Sequence, residues 1–378
     1  MDKRDRRKEL RKAQRKREVR RNIIILCILT VLCITAIVIL AAGLRKDRSP
    51  KTKQTLAEGN AGQPTPEADI ITTPEPLAPT VITVSAAGDC TLGSDVNFEP
   101  STSFVSKFHE VNDPGYFLAN VRDIFASDDL TIVNLEGTLS NQGERADKQF
   151  AFRGDPSYTG ILTSGSVEAV NLANNHSKDY GEQSYEDTIF HVESAGITSF
   201  GYERTALKEI KGVKVGLVGT YVLKDGIESK QGMLDNIQSL QEQGAQLIIA
   251  SFHWGSEKEY TPDPVQKELA HAAIDAGAHL VLGHHPHVLQ GVETYKDRYI
   301  CYSLGNFCFG GNKNPSDKDT MIFRQTFTVT GDDVAADSVT EIIPCSISSV
   351  SSINNYQPTP AKDSEKERIQ QKISSLEY

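Results

Sequence analysis

Cysteine is scarce and carries no pairing pattern. Of six in 378 residues, Cys27 and Cys33 fall within an apolar run, while Cys90, Cys301, Cys308 and Cys345 are scattered without CxxC spacing. That excludes a disulfide framework; a single bridge involving Cys345 stays open. Internal repeats are absent, which excludes a repeat array. Basic residues lack interleaved aromatics, and this argues against nucleic-acid binding.

Charge is unevenly distributed. Residues 1–22 carry 12 Lys and Arg against 4 Asp and Glu, so the remainder holds 28 against 46 and is strongly acidic. Next comes Ile23–Leu44, uncharged and apolar, long enough as a helix to cross a hydrocarbon core of about 30 Å. It is longer than the roughly 7 to 15 apolar residues of a cleavable signal peptide. A membrane anchor is therefore expected, with residues 1–22 cytoplasmic by the positive-inside rule and the acidic remainder extracytoplasmic. Residues 45–80 contain Pro50, Pro64, Pro66, Pro74, Pro76 and Pro79 and read as a disordered tether.

From residue 81 short apolar runs alternate with polar or helical stretches. Strands are expected at Val81–Ala87, Leu130–Leu135, Val167–Leu172, Gly196–Phe200, Val213–Val218, Ala245–Phe252, His279–Leu282 and Tyr299–Leu304, with helices at Tyr185–Ser194 and Val265–Ala276. This alternation indicates an α/β domain over 81–350, with ligand loops at strand ends. Met321–Ile347 reads as further strands. Residues 351–378 read as a polar tail, within which Lys362–Leu376 forms a charged helix or frays.

Five strand-end segments combine turn residues with metal-preferring side chains. They are Gly88-Asp89-Cys90, Asn134-Leu135-Glu136, Asn174-Asn175-His176, His253-Trp254-Gly255 and Gly283-His284-His285-Pro286-His287. The last holds three of the nine histidines of the chain, and neutral imidazole is a common ligand for divalent transition metals. Taken singly, Asp89 could cap a helix and His253 could be a satisfied core residue. Together Asp89, Glu136, Asn175, His253, His285 and His287 make an oxygen and nitrogen set adequate for two nearby divalent ions, with one ion as the fallback. His176 offers a proton carrier.

These motifs, with Asn174 through Gly181, His253 through Glu257 and Ser303-Leu304-Gly305-Asn306-Phe307, resemble the CapA family of bacterial poly-γ-glutamate capsule synthesis proteins. That family is similar in turn to calcineurin-like metallophosphoesterases. The resemblance implies a four-layer α/β/β/α sandwich preceded by one transmembrane helix. It also implies two divalent ions of manganese, zinc or iron held by Asp89, Glu136, Asn175, His253, His285 and His287, with His176 as general acid. Asn134, Asn174, Glu257, His284, Ser303 and Asn306 would shape the pocket or support the ligands. Metallophosphoesterases ordinarily begin Asp-x-His, whereas this chain has Asp89-Cys90-Thr91, and Glu136 stands where a bridging Asp is usual.

Three functions follow as expectations. The first is a membrane-anchored component of poly-γ-glutamate capsule synthesis or export, with membrane synthase subunits as partners and an anionic polymer as ligand. The second is an extracytoplasmic metal-dependent phosphoesterase acting on cell-envelope phosphates. The third is a noncatalytic module binding polymer or synthase.

Overall fold

The computed structural model describes residues 78–335 and 339–376. The expected anchor at 23–44 and nearly all of the tether lie outside them. Among the described residues no helix is long and apolar enough to cross a membrane.

Strands β1 (Thr80–Thr91), β2 (Leu130–Leu135), β3 (Ala169–Asn171) and β4 (Thr198–Phe200) begin the larger sheet. The smaller sheet follows in the chain: β5 (Ala206–Ile210), β6 (Val213–Tyr221), β7 (Leu247–His253), β8 (Leu280–His284), β9 (Val292–Tyr295) and β10 (Arg298–Cys301). The larger sheet is then completed by β11 (Asn306–Phe309), β12 (Asp319–Thr330) and β13 (Val339–Ser346), with two further strands of two residues each. Its order is β13-β12-β1-β2-β3-β4, with β11 paired to β1; the smaller sheet runs β9-β10-β8-β7-β6-β5. At the heart of both sheets, β1 to β4 and β6, β7, β8 and β10 pair in parallel. The protein is a mixed α/β fold.

Alternation along the strands assigns their faces. In β1 and β2, Ile82, Val84, Ala86, Leu130 and Ile132 share one buried cluster with Val215 and Leu217 of β6, Leu247 and Ile249 of β7, and Leu280 and Leu282 of β8. The sheets therefore pack face to face. Val133 and Leu135 point the other way, into a cluster with Phe104 of helix α1 (Phe104–Val111), Ile161 of α2 (Thr159–Ser164) and Val192 of α3 (Glu182–Ser194). Ile248, Ala250 and Phe252 of β7 face Ile237 of α4 (Ser229–Glu242) and Leu269 of α5 (Pro264–Asp275). Strands buried on both faces are why these runs read as continuous apolar segments. Asp263 starts α5 with a capping box shared with Gln266, and Pro264 occupies the first turn, where its missing N–H costs nothing.

Two expectations change. Residues 351–378 are not merely a polar tail: α6 (Asp363–Ser375) buries Ile369 and Ile373 in the cluster between the sheets. Two isoleucines four residues apart suffice to dock a helix whose other positions are charged. Its polar side is tied as well, Arg368 donating to both oxygens of Asp319 at 2.6 and 2.7 Å and Lys372 donating at 3.0 Å. Second, the four cysteines of the described residues are free and buried, so among those residues the bridge at Cys345 that the sequence left open is absent.

Ile369→Ala should lower stability by about 2–4 kcal/mol, as burial of this size implies, measured by denaturant unfolding of the full chain; a frayed tail would leave the midpoint unmoved. Burial pushes the Asp319 carboxyl up, but Arg368 and Lys372 outweigh it and hold its pKa below the ordinary value. A depressed carboxyl stabilises the fold above its unfolded pKa of about 3.9 and loses that contribution as pH falls through the folded value. Asp319→Asn should therefore cost about 1–2 kcal/mol at neutral pH, and the difference from wild type should shrink as the pH falls below about 4.

Candidate metal centre

Register gathers the polar residues. Asp89 on β1 lies opposite Asn134 of β2 and Asn306 of β11, and Asn134 lies opposite Asn171 of β3. In the other sheet His253 ends β7 opposite His284 of β8. All but Asn306, which begins β11, stand at the carboxyl ends of parallel strands, where open α/β sheets place their ligands. Gly88 is required here because a Cβ would collide with the Gly305 carbonyl oxygen, and the same approach lets the Asp89 N–H donate to that oxygen at 2.9 Å.

The loop after β8 is strained: His285 has φ 96° and His287 φ 57°, either side of Pro286. Non-glycine residues avoid this region unless surroundings hold them there. The hold is visible. The His285 N–H donates to Asp89 Oδ2 at 3.3 Å, and Asn306 Nδ2 donates to the His287 carbonyl at 3.1 Å.

Glu136, just beyond β2, is fully buried, and neither carboxylate oxygen has a hydrogen-bond partner. Its Oε1 lies 3.8 Å from His176 Nε2, 3.8 Å from His253 Nε2 and 3.9 Å from His287 Nε2. His287 Nδ1 is 3.2 Å from Asp89 Oδ2 and 2.9 Å from Asn306 Oδ1. Asn175 Oδ1 is 2.7 Å from His253 Nε2. Donor atoms of Glu136, His285 and His287 fall within 4.8 Å of one another, and His285 Nδ1 also lacks a partner. Thus all six expected ligands meet. Buried polar atoms that nothing in the chain satisfies are uncommon, and converging oxygen and imidazole donors fit a divalent ion.

Burial and mutual charge set the electrostatics of these groups. Burial pushes the Glu136 carboxyl up to about 8. Burial also lowers His285, to about 4, and His253 well below the ordinary imidazole value, which keeps their lone pairs available. For His287 burial opposes charge, but Glu136 and Asp89 outweigh it and the pKa rises.

The remaining residues divide. His176 Nδ1 lies 2.6 Å from Asp179 Oδ2, so a neutral ring that donates there leaves Nε2 bare toward Glu136. Asn134 Nδ2 donates to Asp89 Oδ1 at 2.9 Å, and Asn174 Nδ2 donates to Asn134 Oδ1 at 3.2 Å. His284 is buried with Nδ1 3.3 Å from Asp89 Oδ1, close in charge but not aligned as a hydrogen bond. Glu257 is exposed on the cleft above the centre. Ser303 is fully buried and donates to the Val288 carbonyl at 2.7 Å, so it braces the loop and does not line the cleft. Cys90 points into the helix-side core, burial pushing its thiol up to about 12.

Sequence reasoning left three residues without a role. Asp179 also accepts from Lys148 Nζ at 2.7 Å and from the Phe152 N–H at 2.6 Å, and the Phe152 ring lies 4.4 Å from that of His176. Lys148 reaches the Asn175 carbonyl at 2.8 Å. Asp179, three residues after His176, carried a readable signal; Lys148 and Phe152 come from a loop without periodicity.

A carboxylate can only accept hydrogen bonds, whereas an amide could donate to the facing imidazoles. In protein stripped by a chelator and held above about pH 8, where the Glu136 carboxyl is ionised, Glu136→Gln should therefore be more stable than wild type by about 1 kcal/mol. A lower melting temperature for the stripped variant would show that the carboxylate is satisfied without an ion.

The family model described as bacterial capsule synthesis protein PGA_cap matches residues 83–311, more than half of the chain. The chain is 30% identical over 250 residues to the PGA biosynthesis protein CapA of Bacillus subtilis, covering 61% of this chain and 63% of that one. It is 31% identical over 188 residues to the capsule biosynthesis protein CapA of Bacillus anthracis, covering 44% and 46%. It is 30% identical over 210 residues to a "Probable polyglutamine synthesis accessory protein" of Mycobacterium tuberculosis, covering 47% and 55%. The chain thus spans between 46% and 63% of the length of these relatives.

Proposed function

The chain belongs to the bacterial capsule synthesis protein PGA_cap family, and from that premise we propose that it is a membrane-anchored component of poly-γ-glutamate capsule synthesis or export. Its α/β domain, a four-layer α/β/β/α sandwich of metallophosphoesterase type, stands outside the membrane on a tether and holds divalent ions. Residues 1–22 are cytoplasmic and membrane synthase subunits are its partners. The names of the relatives support the polymer, and the charge split around Ile23–Leu44 supports the topology. The packing of sheet on sheet with helices outside supports the layering.

One observation carries the metal reading: the Glu136 carboxylate, unsatisfied and faced by three imidazoles. Asp89, Glu136, Asn175, His253, His285 and His287 would hold two ions of manganese, zinc or iron. Bound ions would supply Lewis acidity and a more acidic water. The chain does the rest. Asn306 and Asp89 fix His287 through Nδ1, while Asn134 orients Asp89. Asp179 holds the Nδ1 side of His176; a proton taken up by the otherwise bare Nε2, which faces Glu136 beside the cleft, can pass to a leaving group. Lys148 holds Asp179 in place, donating to its Oδ1.

A second reading, an extracytoplasmic phosphoesterase acting on cell-envelope phosphates, is favoured by this His176 and Asp179 pair, a general-acid arrangement that mere binding does not need. A noncatalytic module binding polymer or synthase would need the metal ligands but not His176.

Strains carrying Asp89→Ala or His285→Ala in the full chain should lose most surface polymer, and His176→Ala should lose it comparably. Polymer retained in the His176 variant but not in the other two would favour the noncatalytic module; normal polymer in all three would remove the capsule reading. Metal-dependent turnover of phosphoesters by purified protein, alongside normal polymer, would favour the second.

A further inference from the structure

The C-terminal helix reaches the rim of the cleft over the centre. On α6, Arg368 and Lys372 are four residues apart and share a face, each one position before a buried isoleucine, Ile369 or Ile373. Arg368 is engaged with both oxygens of Asp319, where β12 begins. Lys372, one turn on, reaches further out: its Nζ donates to Asp317 Oδ2 at 2.6 Å as well as to Asp319 Oδ2 at 3.0 Å. Burial opposes charge on Lys372, but the two carboxylates outweigh it and its pKa is raised.

Asp317 belongs to the cleft. With Pro315 and Ser316 it lines one part of the wall, and Glu257 and Lys258 line another. The oxygen that takes Lys372 also accepts from the Tyr260 hydroxyl at 2.9 Å, so one carboxylate joins the two segments. Lys372 Nζ lies 5.0 Å from the Tyr260 ring centroid, within cation–π range. Each segment is rooted elsewhere. Behind Tyr260, the Lys258 N–H donates to the Pro286 carbonyl at 2.8 Å and Gln290 Nε2 donates to the Glu259 carbonyl at 2.9 Å, which fastens that side to the loop of His285 and His287. Behind Asp317, Thr320 Oγ1 donates to the Leu304 carbonyl at 2.8 Å, close to Asn306. Asp317 thus ties the C-terminal helix to both sides of the opening. The cleft so held is about 210 Å³, below the roughly 300–1,000 Å³ of typical small-molecule sites, so its width decides what enters.

We propose that Tyr260, Asp317 and Lys372 form a latch that sets the opening of this cleft, Tyr260 and Lys372 being positioning residues that act through Asp317. Latched, the cleft admits a slender group to the centre; released, its two walls part and a bulkier group enters. The latch includes none of the residues expected to hold the ion, so it governs access and not affinity. Its bearing on ion access rests on the reading that the centre holds an ion; the joint itself does not.

Amide hydrogen exchange on the full chain tests the joint. Tyr260→Phe removes one hydroxyl from a residue 41% exposed, so folding is not at risk. It should speed exchange roughly fivefold to tenfold in both 256–260 and 311–318 while α6 stays as protected as in wild type. Lys372→Met should speed the same two segments, and Lys372→Arg should restore them. In manganese-loaded protein, ethylenediaminetetraacetate should strip the ion faster from Tyr260→Phe than from wild type, with equilibrium affinity for manganese unchanged. Exchange in 256–260 at the wild-type rate in both Tyr260→Phe and Lys372→Met would overturn the latch, as would faster exchange confined to α6. Ion loss at the wild-type rate despite faster exchange in both segments would overturn its control of access. Protein that binds no manganese would overturn the metal reading, and the exchange rates would still decide the latch.

Discussion

A carboxylate with no hydrogen bond, buried at the meeting of two sheets, is the constraint around which the rest is arranged. Glu136 cannot be satisfied by the chain, since the groups around its Oε1 are imidazole nitrogens at 3.8–3.9 Å. Burying such a group costs several kcal/mol unless something positive meets it. The strained backbone at His285 and His287 adds to that cost. A fold that keeps both features at the ends of its best-packed strands has set stability aside for a site, and a divalent ion accounts for the cost in one step.

The two sheets contribute differently. The larger one supplies the oxygens and amides: Asp89, Asn134 and Glu136 from β1, β2 and the turn beyond, fixed in register. The smaller one supplies the imidazoles of His253, His284, His285 and His287. The centre therefore exists only when the sheets are packed, and the cluster of Val84, Ile132, Leu217, Ile249 and Leu282 between them holds the donor atoms in position. α6 belongs to this support, because Ile369 and Ile373 enter the same cluster although the helix is far away in sequence.

What could be read from sequence follows from how each residue is used. Leu130–Leu135 was legible to the residue because every side chain in it is buried, which leaves a continuous apolar run. Asp89, Glu136, Asn175, His253, His285 and His287 were legible because each follows such a run. Less could be seen where long-range contacts decide. The docking of α6 hangs on two isoleucines within a strongly polar segment. Lys148 bears on His176 through Asp179 and directly, its Nζ 3.4 Å from His176 Nδ1, and nothing in the loop that carries it announces that role. Ser303, expected from its Ser-Leu-Gly-Asn motif to shape the pocket or support the ligands, turns its hydroxyl onto the Val288 carbonyl beside His287. The hollows beyond Phe150 are lined by segments near residues 100, 150, 312 and 354, a conjunction that exists only once the chain has folded.

The central claim is that Glu136 is unsatisfied because an ion belongs beside it. Anomalous diffraction from crystals of the protein grown with manganese tests this directly. The account predicts density for one or two ions within bonding distance of Glu136, with His253 and His287 among the ligands. A manganese-soaked crystal with no anomalous peak there, and Glu136 hydrogen-bonded instead to protein groups, would contradict it.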